Sequence, residues 1–392
     1  MKFIHFGCWN EFGYSHLNPD KSPLTYMLDQ LNRYVNANKT DFLIIAGDNY
    51  YPPKDKDKSI PKPKVKKVSD YDEKLFFSGF DALPTIEKFL IFGNHDIDDL
   101  IKTSSITMIP GKNLNEFSND FEKSLVANLQ NDATDKCKIL NLQQLYTSNN
   151  ATYKVFNNVL YKQYNHTLII MLDSHLLTLI NQQDLGCYKY LFSEYLKTNP
   201  QATITDLIQH QINTILELIR SNINVNNCIF VGHHPIIICK HKNDIGKTES
   251  EEGLRSFFMN EELNQLLINK NINITYLCAD LHLYQFGIVN LGPLTIKQYI
   301  VGTGGAHLDT YDFKQSYNKP CLVIDEIPGF NYQVIENYND IYGFLVVDIQ
   351  TIGSTDIITY AFNGVDVPTM DGKLNGKIKL DGGNVIHYIN LI

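Results

Sequence analysis

The feature that most constrains the fold of this chain is an apolar run that ends abruptly in polar, metal-binding side chains. Residues 42–46 are continuously apolar, and Gly47, Asp48 and Tyr51 follow within five positions. An apolar run of this length, bounded by a turn residue, predicts a fully buried strand. Because ligands of open α/β sheets bind just beyond the carboxyl ends of such strands, Asp48 is expected to lie at the usual position of a binding or active site. An ordinary Asp-Asn turn has the same local pattern, so a functional interpretation requires that the pattern recur.

The pattern does recur, at the ends of other predicted strands. The candidate ligands are Cys8 after 2–7, Asn94 and His95 after 89–92, His233 and His234 after 228–231, and Asp280 and His282 after 274–278. Taken singly, each has a structural explanation, such as a packed histidine, a helix N-cap or a small buried thiol. Together, their oxygen and nitrogen atoms suit first-row divalent and trivalent metals. Their repeated position after apolar strands therefore favours one shared metal site.

The periodicity between these strands predicts helices on the outside of two sheets. Apolar residues at helical spacing predict helices over 23–37, 71–88, 205–221 and 253–270, with weaker helical patches at 114–130. A strand, a helix and a second strand in this order predict a parallel pair with a right-handed crossover. We therefore predict an α/β fold, a four-layer α/β/β/α sandwich of two mixed sheets flanked by helices. Residues 1–392 are expected to form a single domain whose C-terminal part, about 325–392, completes the second sheet.

Composition narrows the class of partner and the compartment. The net charge of −9 argues against a nucleic-acid binder, whose surface would be basic. The seven cysteines are scattered, odd in number and without a C-x-x-C pair, which favours reduced thiols in a cytosol-like compartment. No signal-peptide pattern and no run of 18 apolar residues is found, so we expect a cytoplasmic protein that does not span a membrane. Nothing in the sequence indicates an oligomeric state.

The strand-end motifs resemble those of the calcineurin-like metallophosphoesterase superfamily. The matching segments are 47–51, 93–96, 232–235 and a degraded form at 279–282. Similarity is greatest to the small, tartrate-resistant type of purple acid phosphatase, since Tyr51 stands three residues after Asp48. Residues 7–10, the strand ending at Asp173 and the turn at 302–305 also resemble that group.

The resemblance implies hydrolysis of phosphomonoesters by in-line attack of a metal-bound hydroxide. It implies that Asp48 bridges two metal ions, one being iron and the other manganese, zinc or iron. The implied iron(III) ligands are Asp48, Tyr51, His282 and position 8, and the implied ligands of the divalent ion are Asp48, Asn94, His233 and position 280. His95 would face the phosphate as a proton donor or electrostatic stabiliser, and His234 would support the site or only the fold. The implied partner is a small phosphorylated substrate.

Two positions depart from the family pattern. Cys8 stands where the family has an aspartate, and Asp280 stands where it has a histidine. A thiolate is soft and shifts preference toward zinc, whereas a carboxylate favours manganese or magnesium. The departures leave two interpretations open, an enzyme tuned to other metals or a catalytically weakened binding protein. Hydrolysis of phosphodiesters or nucleotides is a third possibility, since the superfamily includes such enzymes.

Overall fold

The computed structural model describes the parts of the chain that form the sheets and the strand ends. These are residues 1–11, 22–49, 51, 78–96, 153–155, 159–182, 185, 188–242, 245–306, 308–309, 322–324, 329–338 and 341–365. The predicted helical patches at 114–130 lie outside these residues.

Seven helices have both of their ends in the described residues. They are α1 (Pro23–Ala37), α2 (Ser174–Thr178), α3 (Tyr188–Leu191), α4 (Ser193–Thr198), α5 (Ile204–Ser221), α6 (Glu252–Phe258) and α7 (Glu261–Asn269). The predictions for α1 and α5 are confirmed. Both helices begin at a capping side chain: Ser22 accepts the N–H of Thr25, and Thr203 forms a reciprocal capping box with Asp206.

Two of the helix predictions are wrong at their boundaries. The helix predicted over 71–88 ends early, because residues 78–81 are helical but a strand begins at Glu87. The single helix predicted over 253–270 is two helices, α6 and α7. The break occurs at Asn260, whose side chain accepts the N–H of Leu263 and so caps a new helix.

The first sheet contains most of the predicted N-terminal strands. In the described residues its order is β16-β15-β1-β2-β3-β4. Its strands are β1 (Lys2–Phe6), β2 (Phe42–Ala46), β3 (Glu87–Ile91), β4 (Tyr153–Val155), β15 (Tyr342–Ile352) and β16 (Thr355–Val365). β1 to β4 run parallel, whereas β15 pairs antiparallel with both β1 and β16. The carboxyl ends of β1, β2 and β3 therefore meet at one edge.

The second sheet has the order β13-β14-β11-β12-β10-β7-β6-β5 among the described strands. Its strands are β5 (Val159–Tyr164), β6 (Thr167–Leu172), β7 (Asn227–Val231), β10 (Asn273–Cys278), β11 (Tyr284–Leu291), β12 (Leu294–Val301), β13 (Leu322–Ile324) and β14 (Phe330–Tyr338). β6, β7, β10 and β12 are parallel, and the outer pairs are antiparallel. A separate hairpin is formed by β8 (Ile237–Lys242) and β9 (Ile245–Ser250).

The two sheets pack face to face through aromatic side chains. Tyr299 of β12 stacks on Tyr360 of β16 with centroids 4.6 Å apart, and the hydroxyl of Tyr360 donates to Thr275 of β10 over 2.9 Å. α1 packs beside β15 and β16, and α5 packs against β5 and β6. The predicted architecture, two mixed sheets flanked by helices, is confirmed.

The strands after residue 325 are divided between the sheets. β14 lies in the eight-stranded sheet, whereas β15 and β16 lie in the sheet that contains β1. The division of the chain into one domain stays a prediction. In the described part of the chain, no helix combines the length and the apolarity needed to cross a bilayer.

One prediction about the cysteines is wrong. Cys239, in β8, is disulfide-bonded, whereas Cys8, Cys228 and Cys278 are free and buried. Scattered spacing and an odd number of cysteines do not exclude a disulfide, because pairing depends on the fold rather than on distance along the chain. The cysteine argument for a reducing compartment therefore no longer holds, and cytoplasmic localisation stays a prediction without it.

Candidate metal centre

The predicted ligands come from both sheets and meet where their strand ends face each other. Cys8, Asp48 and Asn94 follow β1, β2 and β3, and His233 and Asp280 follow β7 and β10. A hydrogen bond joins the two sets of strand ends: the ring Nδ1 of His233 lies 2.7 Å from the carbonyl oxygen of Ala46, the last residue of β2. The face-to-face packing of the sheets therefore assembles the site.

Tight turns aim the ligands inward at these strand ends. Cys8, Asp48 and Asp280 all have positive φ values, of 52°, 51° and 58°. Non-glycine residues adopt this left-handed conformation at a cost of about 1–3 kcal/mol, and such strain is concentrated at functional sites. The turns also leave no space beside Gly47, where an added Cβ would lie 2.6 Å from the Nδ1 atom of His233. Glycine is therefore required where the two strand ends cross.

Asp48 lies at the centre of the site and is 1% exposed. Its Oδ2 accepts a 2.5 Å hydrogen bond from the Tyr51 hydroxyl and lies 3.8 Å from the Cys8 sulfur. Its Oδ1 accepts the backbone N–H of His95 over 3.1 Å and lies 3.3 Å from the His233 Nε2. The two oxygens of one carboxylate thus face two different sets of donors.

The first donor set lies on the Oδ2 side of Asp48. It contains Cys8, Tyr51 and His282, and the Nε2 of His282 lies 2.9 Å from the Tyr51 hydroxyl. Burial, and then the negative charge of Asp48, raises the pKa of both the Cys8 thiol and the Tyr51 phenol well above their ordinary values. Both groups must lose a proton to bind a metal, and a cation between them would offset this cost.

The second donor set lies on the Oδ1 side. The His233 Nε2 is 3.1 Å from the Asn94 Oδ1 and 3.5 Å from the Asp280 Oδ1. Burial alone would lower the pKa of His233, but Asp48 and Asp280 raise it to about 9. Ligand atoms of Cys8, Asp48 and His233 lie within 4.8 Å of one another, as do those of His233, His234 and Asp280. The first of these groups joins Cys8 to His233, which the resemblance assigns to different metals, and the second includes His234, which it does not name as a ligand. The ligand assignments stay predictions.

His95, predicted to face the phosphate, and His234, predicted to support the site or the fold, have different environments. His95 is half-buried, and its ring lies 4.9 Å from the ring of Tyr51, beside the first donor set. His234 is buried, its ring stacks on His175 with centroids 5.4 Å apart, and burial lowers its pKa to about 3. Proximity to the site is thus observed for both residues, and their catalytic roles stay predictions.

Several supporting residues were not singled out from the sequence. The buried carboxylate of Asp96 accepts three hydrogen bonds. Two come from Asn49, one from its backbone N–H and one from its side-chain amide, each over 2.9 Å, and the third comes from the backbone N–H of Gly93 over 2.8 Å. Trp9 in turn donates to the Asn49 side chain over 3.3 Å. This network ties the loops after β1, β2 and β3 together. Asp96 and Asn49 directly adjoin predicted ligands, and this proximity is the only signal that the sequence offers.

Ser174 is a second unforeseen residue. It follows β6, whose carboxyl end lies beside that of β7. Its Oγ accepts the backbone N–H groups of His233 and His234 over 2.8 and 2.9 Å. The turn that carries both histidines is therefore anchored to the neighbouring strand end.

Comparisons with known proteins identify the family of this chain. A family model described as calcineurin-like phosphoesterase matches residues 1–284, which include every candidate ligand. A solved structure titled "Structure of PhoD" aligns at 12% identity and a TM-score of 0.48, over 99% of this chain and 68% of that chain. No curated protein sequence matches significantly. The similarity to purple acid phosphatases in particular stays a prediction.

Proposed function

Because this chain belongs to the calcineurin-like phosphoesterase family, we propose that it hydrolyses phosphomonoesters with two metal ions held around Asp48. The observation that carries the proposal is the position of this one buried carboxylate. Its Oδ2 is 2.5 Å from the Tyr51 hydroxyl and its Oδ1 is 3.3 Å from the His233 Nε2. Asp48, with the donors beside each of its oxygens, would hold two cations.

The donor set fits a pair of cations. Asp48, Cys8 and Tyr51 place a carboxylate, a thiol and a phenol together in a buried site, where the charges that act on the thiol come from Asp48, Asp280 and Asp309. Protonated His233 offsets part of the charge of Asp48, from which it lies 3.3 Å away. Deprotonated Cys8 and Tyr51 would add buried negative charge, which bound cations would balance. Two metal ions, when bound, would supply Lewis-acid activation of the phosphate and of the attacking water. Iron with manganese, zinc or a second iron is our proposed pair.

The chain's own residues would orient the substrate and move protons. His95 follows Asn94 and is half-buried, so its ring is available to a substrate entering the site. Its backbone N–H is fixed to Asp48 over 3.1 Å, which limits where the ring can move. We assign His95 the donation of a proton to the leaving oxygen, the step that a positioned histidine commonly performs. The support for a monoester is the phosphatase-like placement of Tyr51 three residues after Asp48.

An activity assay with a matched variant tests this proposal. Full-length protein would be assayed with p-nitrophenyl phosphate and bis-p-nitrophenyl phosphate in the presence of manganese, iron, zinc or magnesium. Asp48→Asn is expected to reduce monoester turnover by about 100-fold or more, since metal-site partners alone are worth 10–100-fold. Asp348→Asn is the control, because the Asp348 carboxylate is partly exposed and contacts the side chains of Lys2, at 3.5 Å, and Gln350, at 3.4 Å, rather than a candidate ligand. Faster cleavage of the diester would instead favour a phosphodiesterase.

A non-catalytic binding protein is the second candidate, and Cys8 is the observation that favours it. Its thiol is fully buried and its pKa is raised by burial, so it exchanges its proton for a metal less readily than an aspartate does. Folded protein that shows no turnover with any metal, and that holds one metal ion or none, would support this candidate. Activity that appears only in Cys8→Asp would indicate an enzyme that has lost its function.

A further inference from the structure

Ser174 has an unusual number of hydrogen bonds for one buried hydroxyl. Its Oγ lies 2.8 Å from the backbone nitrogen of His233, 2.9 Å from that of His234 and 3.2 Å from the ring Nδ1 of His234. Ser174 is completely buried at the first turn of α2. It therefore contacts the backbone of a predicted metal ligand and the ring of the histidine that follows it.

The proton positions follow from counting lone pairs. A serine hydroxyl has two lone pairs and one hydrogen to donate. Both backbone N–H groups are obligatory donors, so they occupy the two lone pairs of Ser174. The single hydrogen of the serine is then left to donate. The Tyr276 hydroxyl is also near the serine, but it bonds to the carbonyl oxygen of His234, and we assign the serine hydrogen to the Nδ1 of His234, 3.2 Å away. An accepting Nδ1 carries no hydrogen, so the hydrogen of this imidazole lies on Nε2.

The surroundings hold the turn and the ring in this arrangement. The hydroxyl of Tyr276 donates to the backbone carbonyl of His234 over 2.6 Å, so that it fixes the other side of the same turn. An added Cβ on Gly232 would lie 3.0 Å from the Ser174 Cβ, so the turn passes close to the serine. The ring of His175 stacks on His234 at an interplanar angle of 21°. Rotation of the His234 ring is restricted by both contacts.

We propose that Ser174 is a positioning residue that holds His234 as its Nε2–H tautomer, so that His234 acts as a hydrogen-bond donor and not as a metal ligand. A ring nitrogen of His234 lies within 4.8 Å of ligand atoms of His233 and Asp280. Since Nδ1 is occupied by the serine, Nε2 is the nitrogen left for the site, and its N–H suits an anionic oxygen of Asp280 or of a phosphate. The meaning of this role for catalysis rests on the proposed function, whereas the tautomer does not.

The tautomer can be measured without any activity. Long-range ¹H–¹⁵N correlation spectra of full-length, metal-free protein labelled with ¹⁵N-histidine separate protonated from unprotonated ring nitrogens, and His234→Gln identifies the His234 signals. We expect the native protein to show hydrogen on Nε2 alone. Hydrogen on Nδ1 in the native protein overturns the proposal, whether or not any variant folds.

Two variants extend the test to metal binding. Ser174→Ala is expected to mix the two tautomers of His234. Because it also removes the acceptor of the backbone N–H of His233, a predicted ligand, it is expected to weaken zinc binding by about 10–100-fold. Thr214→Ala is the control, since its partly buried hydroxyl bonds only to the carbonyl of His210 within α5. An unchanged tautomer and unchanged zinc affinity in folded Ser174→Ala would overturn the positioning role. An inactive protein with the expected tautomer would count against the proposed phosphatase and leave the role of Ser174 intact.

Discussion

Gly93→Ala should disrupt the centre of the site through a steric clash, and not through an unfavourable backbone conformation at residue 93. Gly93 does not have a positive φ, so alanine is compatible with its backbone. An alanine Cβ would, however, lie 2.6 Å from the backbone nitrogen of Asp48 and 2.7 Å from the Cε1 of His233. The distance from this Cβ to the Asp48 nitrogen is about 0.8 Å shorter than an ordinary van der Waals contact of 3.4 Å. Because the obstructing atom belongs to the backbone, rotation of a side chain cannot relieve the clash.

The magnitude follows from the size of this displacement. Overpacking of this kind typically costs about 1–3 kcal/mol of unfolding free energy. A shift approaching 1 Å in a catalytic group lowers activity by about 100-fold. We therefore expect Gly93→Ala to lower the apparent affinity for zinc and manganese by at least about tenfold, and kcat/KM for p-nitrophenyl phosphate by about 100-fold.

The assay combines metal titration with thermal unfolding. Gly353→Ala is the control: it lies in the turn between β15 and β16, its φ is 64°, and nothing lies within 4 Å of an added Cβ. Gly353→Ala should lower the unfolding free energy by about 1–2 kcal/mol through backbone strain and leave metal binding unchanged. Gly93→Ala with near-native metal affinity would refute the close crossing of the strand ends that the structure shows.

Three further predictions concern stability and the metal. His5 is fully buried, and burial lowers its pKa to about 4 from an ordinary 6.5, so the unfolded state binds more protons than the folded state between these pH values. The unfolding free energy should therefore fall by up to about 3 kcal/mol as the pH falls from 6.5 to 4. His5→Gln should flatten this pH dependence in denaturant titrations. Asp96→Asn places a donor where the Asp96 carboxylate now accepts three N–H groups, and it should lower the unfolding free energy measured in denaturant titrations by about 2 kcal/mol. An unchanged unfolding free energy would contradict the network with Asn49. Protein loaded with iron(III) should absorb visible light through Tyr51, and Tyr51→Phe should remove the band; a band retained in that variant would refute this ligand assignment.

The strands and their terminal side chains could be predicted because their signals are local. Each buried parallel strand is a short apolar run, and residues such as Asp48 and His233 stand directly after one. Parallel order brings the ends of neighbouring strands to one edge without further information. The sequence could thus place the polar side chains at the strand ends within each sheet. Asp48 and His233 come from different sheets, however, and it is the packing of the two sheets that brings them together.

Features that depend on pairing between distant segments could not be predicted. The placement of β15 beside β1 joins residues near the two ends of the described chain, and no local pattern specifies that partner. The disulfide of Cys239 likewise depends on which thiol the fold brings close. The break between α6 and α7 was missed for another reason: Asn260 is an ordinary polar residue on a helical pattern until its side chain caps a new helix.

Ser174 illustrates a third kind of limit. Its role depends on accepting backbone N–H groups of His233 and His234, and backbone groups carry no residue-specific signal. Serine after a strand is also a common start to a helix. Only the distances in the folded protein separate an ordinary helix terminus from an anchor for the metal-site turn.

The central claim is that Asp48 bridges two metal ions, and anomalous diffraction tests it most directly. Crystals of the full-length protein loaded with manganese or zinc would be measured at the absorption edge of that metal. Our account predicts two anomalous peaks about 3.5–4 Å apart, one beside each carboxylate oxygen of Asp48. The absence of any peak within coordinating distance of Asp48 would contradict it.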